Sequence, residues 1–178
     1  MKERERERLG VRLKDFILGF QDGIVSSLGL VLGVAVATLN SSVVIISGIS
    51  GALAEFISMA AVAYTSTEAA EAFYKTEADH KKWKIPKEYK SPFESSLLVG
   101  FSDLAGSAIA IIPFLILKLN TAIVVSIILS ALFLFLTGVI ETKLTTGNWI
   151  KSGLKLTIIG LIAAFAGYLI GRILGAIV

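Results

Sequence analysis

Five stretches of the chain, each about twenty residues or longer, carry very few charged side chains. A helix of about 20 apolar residues crosses the hydrocarbon core of a bilayer, where backbone polar groups find partners only within the chain. The short alternating strands that a membrane barrel requires are absent from the sequence. The chain is therefore predicted to be an all-α, polytopic membrane protein whose five transmembrane helices cover approximately residues 16–39, 43–65, 95–117, 121–141 and 153–177.

Basic side chains concentrate on one side of the predicted membrane. Residues 1–15 and 75–90 carry six Lys or Arg each, residues 142–155 carry three, and Lys118 and Arg172 fall on the opposite side. Because cytoplasmic loops are enriched in Lys and Arg, this asymmetry predicts a cytoplasmic N-terminus and a C-terminus outside. The membrane pattern also accounts for the net charge of +3, so the expected partner is membrane lipid and not nucleic acid.

The segment between the second and third spans is predicted to lie in the cytoplasm. The sequence AYTSTEAAEAFYKTEADHKKWK is compatible with a helix as far as Ile85, which precedes a proline and therefore favours an extended backbone. A helix that continues from span two would project about 25 Å at 1.5 Å per residue. Residues 1–178 then form a single membrane domain, in which residues 66–94 are a cytoplasmic helical extension and linker.

Glycines recur every four residues in spans one and five. They are Gly29 and Gly33 in span one, and Gly167, Gly171 and Gly175 in span five. This spacing favours close approach of two membrane helices, although glycine is also common in membrane helices without such a role.

Three acidic residues, Asp22, Glu55 and Asp103, lie well inside the predicted spans. A charged side chain near a helix centre costs about 2.5–3.5 kcal/mol on insertion scales, and no Lys or Arg lies deep in any span. Such acids can be protonated, face a hydrophilic cavity or bind a cation, which favours a pathway for cations or protons. The alternative is a neutral acid that is hydrogen-bonded within the bundle, and Ser102 and Ser107 offer such partners to Asp103.

A methionine lies close to one of these acids. Glu55 and Met59 are four residues apart and therefore share one face of their helix. Counted from the cytoplasmic ends, Asp22 and Met59 both lie about 8 Å deep, and Glu55 lies one turn deeper. Carboxylate together with thioether suits a borderline first-row ion better than Mg²⁺ or Ca²⁺. The three residues are candidate metal ligands, although a membrane methionine can also serve packing alone.

Enzyme chemistry has little support in the composition. The chain has no Cys and one His, and it contains neither a GxSxG nor an HExxH motif, so it is not predicted to be an enzyme. Three functions remain open on these grounds: a divalent-cation carrier coupled to protons, a passive cation pore, and a membrane scaffold that transports nothing.

Two motifs resemble those of the vacuolar iron transporter family of Fe²⁺ and Mn²⁺ carriers. They are FILGFQDGIVSSLGLVLGVA and ALAEFISMAAVAYTSTEA, and GFSDLAGSAIAIIPF and AFAGYLIGRILG extend the resemblance over nearly the whole chain. The resemblance implies a homodimer of five-helix subunits that exports ions from the cytosol in exchange for protons. It implies that Asp22, Glu55 and Met59 line the ion path. The transported ion would be Fe²⁺ or Mn²⁺, with no permanently bound cofactor.

The sequence departs from this family in one region. Iron transporters of the vacuole carry a cytoplasmic metal-binding domain between spans two and three, and residues 66–94 leave no room for its extra helices. Glu68, Glu71 and Glu77 could still gather ions at a cytoplasmic mouth, or they could form a solvated helix face balanced by nearby Lys. Asp103 is a candidate proton carrier or a structural acid. Without organelle signals, we expect the plasma membrane of a prokaryote.

Overall fold

The computed structural model describes residues 3–81, 91–144 and 147–176. In these residues it contains five helices, α1 (Glu3–Thr38), α2 (Ser41–Lys81), α3 (Pro92–Ile116), α4 (Leu119–Leu144) and α5 (Trp149–Gly175). All five are long and apolar enough to cross a membrane. The prediction of an all-α, multi-pass protein is confirmed, and the side on which each end of the chain lies stays a prediction.

Two helices extend beyond the apolar segments from which they were predicted. α1 begins at Glu3 and not near residue 16, because Glu and Arg are good helix formers even where they are too polar to enter lipid. α2 continues past residue 65 to Lys81, so the predicted helical extension of span two is confirmed over the described residues. Hydropathy therefore delimits the part of a helix that lipid can surround, but it does not delimit the helix.

Very short turns connect α1 to α2 and α3 to α4. Leu39 leaves α1 with a φ of 49°, and the side chain of Asn40 accepts a hydrogen bond from the Ser42 amide at 2.9 Å at the start of α2. At the other hairpin, Leu117 ends α3 with an extended backbone. Turns of this length make each pair antiparallel.

α1 and α3 pack backbone to backbone. A Cβ atom added to Gly23 would overlap the carbonyl oxygen of Asp103, and one added to Gly106 would overlap the carbonyl oxygen of Phe20. Gly19 meets Val99 in the same way one turn earlier. Since the residue numbers rise together in these contacts, α1 and α3 run parallel.

The other glycine-rich contact joins α1 to α5. Gly29 faces Gly167 and Gly33 faces Gly171, each pair with a backbone carbonyl against the position of a missing Cβ. Gly175 meets Ala37 at the end of the same seam. The prediction that these small residues mark a helix contact is confirmed, because the glycines of α1 pack against those of α5.

The main apolar cluster fills the half of the bundle nearest the α1–α2 turn. Every helix contributes to it, with α1 and α3 supplying most of its buried members, which are Leu28, Val31, Leu32, Ala35, Val44, Ala52, Ala110, Ile111, Phe114, Ala122 and Ala164. Acidic groups concentrate in the other half, on the N-terminal side of Leu28 in α1. The acidic side chains inside the apolar spans therefore lie mainly in the half of the bundle away from the α1–α2 turn.

We predict that Gly171→Ala destabilises the protein. The added methyl would meet the carbonyl oxygen of Gly33, and overpacking of this kind costs about 1–3 kcal/mol. Thermal unfolding of the purified protein in detergent measures the effect. Gly10→Ala is the matched control, because nothing lies within 4 Å of its Cβ position and both substitutions gain the same helix propensity. Equal unfolding temperatures for the two variants would refute the contact.

Candidate ion pathway

A serine on α1 links Glu55 to the helical turn that carries Asp22. The Ser26 hydroxyl donates a hydrogen bond to Glu55 Oε2 at 2.7 Å, and it lies 2.8 Å from the backbone carbonyl oxygen of Asp22. Asp22 and Ser26 are one helical turn apart on α1 and therefore share a face, whereas Glu55 comes from the antiparallel helix α2. The structure thus places the Glu55 carboxylate of α2 against the turn of α1 that begins at Asp22.

Ser26 was missed by sequence reasoning. Its hydroxyl is ordinary in a membrane helix, where serines commonly bond to their own backbone. The signal that could have found it is its spacing, since it lies four residues after Asp22 and at a depth where α2 returns with an acid. In the part of the chain that the structure describes, Ser26 is the residue whose hydrogen bond orients the Glu55 carboxylate.

Met59 lies one turn from Glu55 along α2, toward the Lys81 end of that helix. Its side chain is half-buried, as is that of Glu55, whereas the side chain of Asp22 is exposed at the surface of the single subunit. A thioether and two carboxylates therefore occupy neighbouring positions on α1 and α2. Of these three, Asp22 is the one that another molecule can most easily reach.

The acids of the long α2 extension do not assemble into a site. Glu71 forms an ion pair with Lys75 at 2.6 Å, Glu68 is exposed, and the side chain of Glu77 falls outside the described residues. Over the described residues of one subunit, no group of three His, Cys, Asp or Glu side chains is placed to hold a metal ion. For Glu71, the structure matches the alternative of a solvated face balanced by lysine.

Asp103 is fully buried, with 0% of its surface exposed, and neither of its carboxylate oxygens has a hydrogen-bond partner. The alternative in which Ser102 or Ser107 hydrogen-bonds to this acid is wrong. The Ser102 hydroxyl donates to the Val99 carbonyl oxygen at 2.9 Å within its own helix. The Ser107 hydroxyl donates to the carbonyl oxygen of Gly23 at 3.3 Å, because the glycine contact brings that carbonyl within its reach.

A further buried acid, Asp15, was not predicted. Only 6% of its surface is exposed, and the Ser95 hydroxyl of α3 donates to its Oδ2 at 2.7 Å. Asp15 fell just outside the apolar stretch from which span one was predicted. Its spacing of seven residues from Asp22, two helical turns, is the signal that places both acids on similar faces of α1.

Asp22, Glu55 and Met59 offer the types of ligand that a divalent cation takes, but they are too few to coordinate one fully. The two carboxylates supply hard oxygen ligands, and a thioether nearby adds a soft one, which suits divalent first-row metals. Fewer than the six ligands of an octahedral ion come from one subunit. Water or a second subunit would have to supply the remainder.

Comparison with known proteins shows which family the chain belongs to. The family model for the VIT family matches residues 13–89 and 84–172. An uncharacterized protein of Methanocaldococcus jannaschii is 30% identical over 166 residues, which cover 88% of this chain and 86% of the relative. Vacuolar iron transporter homolog 3 of Arabidopsis thaliana is 27% identical over 176 residues, which cover 92% of this chain and 84% of the relative.

The connection between α2 and α3 is short. Only residues 82–91 separate Lys81 from Pro92, which is too short for an additional helical domain. The matched ranges span both sides of this connection. This chain therefore belongs to the VIT family, as a short member that lacks an extra domain between its second and third helices.

Proposed function

We propose that the protein carries Fe²⁺ or Mn²⁺ out of the cytosol, in exchange for protons. The observation that carries this proposal is the hydrogen bond from Ser26 to Glu55 beside Asp22, which gathers two acids on the first two helices inside the apolar spans. A charge in the membrane is costly, so such acids mark ion or proton routes. The name of the Arabidopsis relative adds iron as the cargo.

The two carboxylates replace part of the water that a divalent ion loses on entering the membrane. The ionised Asp22 and Glu55 of one subunit carry two negative charges, which match the two positive charges of one such ion. When the ion leaves, protons can neutralise the same carboxylates. Met59 favours a softer ion over Mg²⁺. This competition between metal and protons is the basis of the proposed exchange.

A homodimer completes the site in this proposal. Asp22 is exposed on the single subunit, which leaves a carboxylate facing lipid unless something covers it. A two-fold axis beside α1 and α2 would bring in the same acids from the partner subunit and double the ligand set. The membrane in question is proposed to be the plasma membrane of a prokaryote, in line with the relative from Methanocaldococcus jannaschii.

Substitution of the acids tests the ion path. In liposomes that contain the purified protein, Asp22→Asn and Glu55→Gln should each reduce Mn²⁺ and Fe²⁺ flux to near the level of protein-free liposomes, because both remove a charge and a titratable proton. The side chains keep their size, so the folded dimer should persist. Met59→Leu should weaken Fe²⁺ flux more than Mn²⁺ flux, because Fe²⁺ follows Mn²⁺ in the affinity series and gains more from a soft ligand.

Glu94→Gln is the control for these variants, since Glu94 is an exposed acid at the start of α3. Metal flux is measured with an enclosed metal-sensitive dye, and oligomer size is measured on the same samples. Undiminished flux in an intact Asp22→Asn protein would exclude Asp22 from the path. A folded Asp22→Asn protein that had become monomeric, without a specific loss of metal flux, would favour the scaffold function.

Crosslinking tests the dimer. Leu18 lies one turn before Asp22 and is 49% exposed, so Leu18→Cys should crosslink to its copy across a two-fold axis beside α1. Ile162→Cys, on an α5 residue that is 62% exposed, is the control and should remain monomeric on denaturing gels. The native chain has no Cys, which makes both measurements clean. A crosslink at residue 162 in preference to residue 18 would place the interface elsewhere.

Labelling tests the orientation. Gly10→Cys should react with a membrane-impermeant maleimide only from the cytoplasmic side and Ala176→Cys only from outside, because basic residues concentrate on the cytoplasmic side. Both positions are exposed. Intact cells and inside-out vesicles give the two accessibilities. If both positions were labelled from the same side, the chain could not cross the membrane five times, and the predicted orientation would be wrong.

A further inference from the structure

The hydroxyl of Ser26 has one hydrogen and two acceptors within reach. Its oxygen lies 2.7 Å from Glu55 Oε2 on α2 and 2.8 Å from the backbone carbonyl oxygen of Asp22 on its own helix. A serine hydroxyl carries one O–H donor and two acceptor lone pairs. Its hydrogen can therefore point fully at only one of these two oxygens at a time, and a rotation of the hydroxyl exchanges them.

The carboxylate receives this hydrogen when no cation is present. Hydrogen bonds to a charged acceptor are about twice as strong as those between neutral groups. The carbonyl oxygen of Asp22 lies inside α1, where the backbone amide one turn later is its regular helix partner, so it does not depend on the hydroxyl. While Ser26 donates to Glu55, its hydrogen occupies a lone pair of Oε2 that a cation would otherwise use.

The two side-chain oxygens are spaced like neighbouring ligands of one ion. Octahedral divalent ions hold oxygen ligands at roughly 2.1 Å, which places two adjacent ligands about 3 Å apart. The separation of 2.7 Å between Ser26 Oγ and Glu55 Oε2 needs to widen only slightly to match this spacing. A hydroxyl and a carboxylate from facing helices can therefore coordinate one ion between α1 and α2.

The surroundings of Ser26 leave room for such an ion. Its side chain is half-buried, and it lines an open groove of about 580 Å³ between α1 and α5. The adjacent Ser27 is 1% exposed, and its hydroxyl has no hydrogen-bond partner among the described residues. Of these two neighbouring serines, Ser26 is the one that both contacts an acid and borders open space.

We propose that Ser26 is a ligand of the transported cation and that its hydroxyl turns when the ion binds. The inference rests on the proposed function and adds a neutral oxygen to its site. A cation at Glu55 Oε2 repels the hydroxyl hydrogen and attracts the oxygen lone pairs. The hydroxyl rotates about its Cβ–Oγ bond and donates to the Asp22 carbonyl oxygen, so no covalent bond breaks and Ser26 keeps its proton.

Binding of Mn²⁺ to the purified protein in detergent, measured by isothermal titration calorimetry, is the first test. Ser26→Ala should weaken Mn²⁺ binding by about 10–100-fold, the loss that follows removal of a group that supports a metal site. Ser26→Thr should restore most of the affinity, because threonine keeps a hydroxyl that can donate to the carbonyl one turn earlier. Ser27→Ala is the matched control and should bind Mn²⁺ like the wild type.

A thiol at the same position distinguishes a ligand from a residue that only orients Glu55. Cysteine is a soft ligand that favours softer metals, and its thiol releases its proton to water when metal binds. Ser26→Cys should therefore raise the ratio of Cd²⁺ to Mn²⁺ affinity about tenfold or more, with the ultraviolet charge-transfer absorption of a cadmium–thiolate bond. Ser27→Cys should show neither change. The native chain has no Cys, so this absorption reports the introduced thiol.

The remaining outcomes overturn the assignment. Wild-type Mn²⁺ affinity in Ser26→Ala would show that the hydroxyl does not contact the ion. Weakened binding in Ser26→Ala, without cadmium–thiolate absorption in Ser26→Cys, would mean that Ser26 only orients Glu55. If no Ser26 variant folded while the Ser27 variants did, Ser26 would be structural. If the wild type bound neither Mn²⁺ nor Fe²⁺, or if Glu55→Gln bound them as tightly as the wild type, the proposed function itself would fail.

Discussion

α1 can hold Asp22 and Ser26 beside α2 only because glycines let two other helices approach it closely. Gly19 and Gly23 accept the backbone of α3, and Gly29 and Gly33 accept that of α5. Lipid supplies no hydrophobic force between helices, so packing of this kind provides much of their association. The remaining face of α1 is left for α2 and for the surface of the protein, and Asp22 lies there.

The distribution of polarity along the bundle follows from this packing. The main apolar cluster fills one half, and Asp15, Asp22, Glu55 and Asp103 lie in or next to the other. An ion that entered from the acidic half would meet ligands before it met a dry core. A complete route across the membrane therefore requires either movement of the helices or a path along a face that one subunit leaves open.

Some of the structure was predictable because it depends on pattern. Five apolar stretches fixed the number of helices, and the spacing of Gly29, Gly33, Gly167 and Gly171 marked a contact, since both features depend on side-chain size and hydropathy alone. The partner of Ser26 and the isolation of Asp103 were not predictable in this way. They depend on how the helices are rotated against each other, which a single sequence does not determine.

The two carboxylates with the strongest claims to function differ in how they can be reached. Asp22 is exposed at the surface of the chain, where an ion or another chain can contact it. Asp103 is sealed between α1 and α3, and within the described residues neither of its carboxylate oxygens has a hydrogen-bond partner. Burial without a partner disfavours a charged carboxylate, so the two acids occupy different environments within one bundle, although α1 carries one of them and packs against the helix that carries the other.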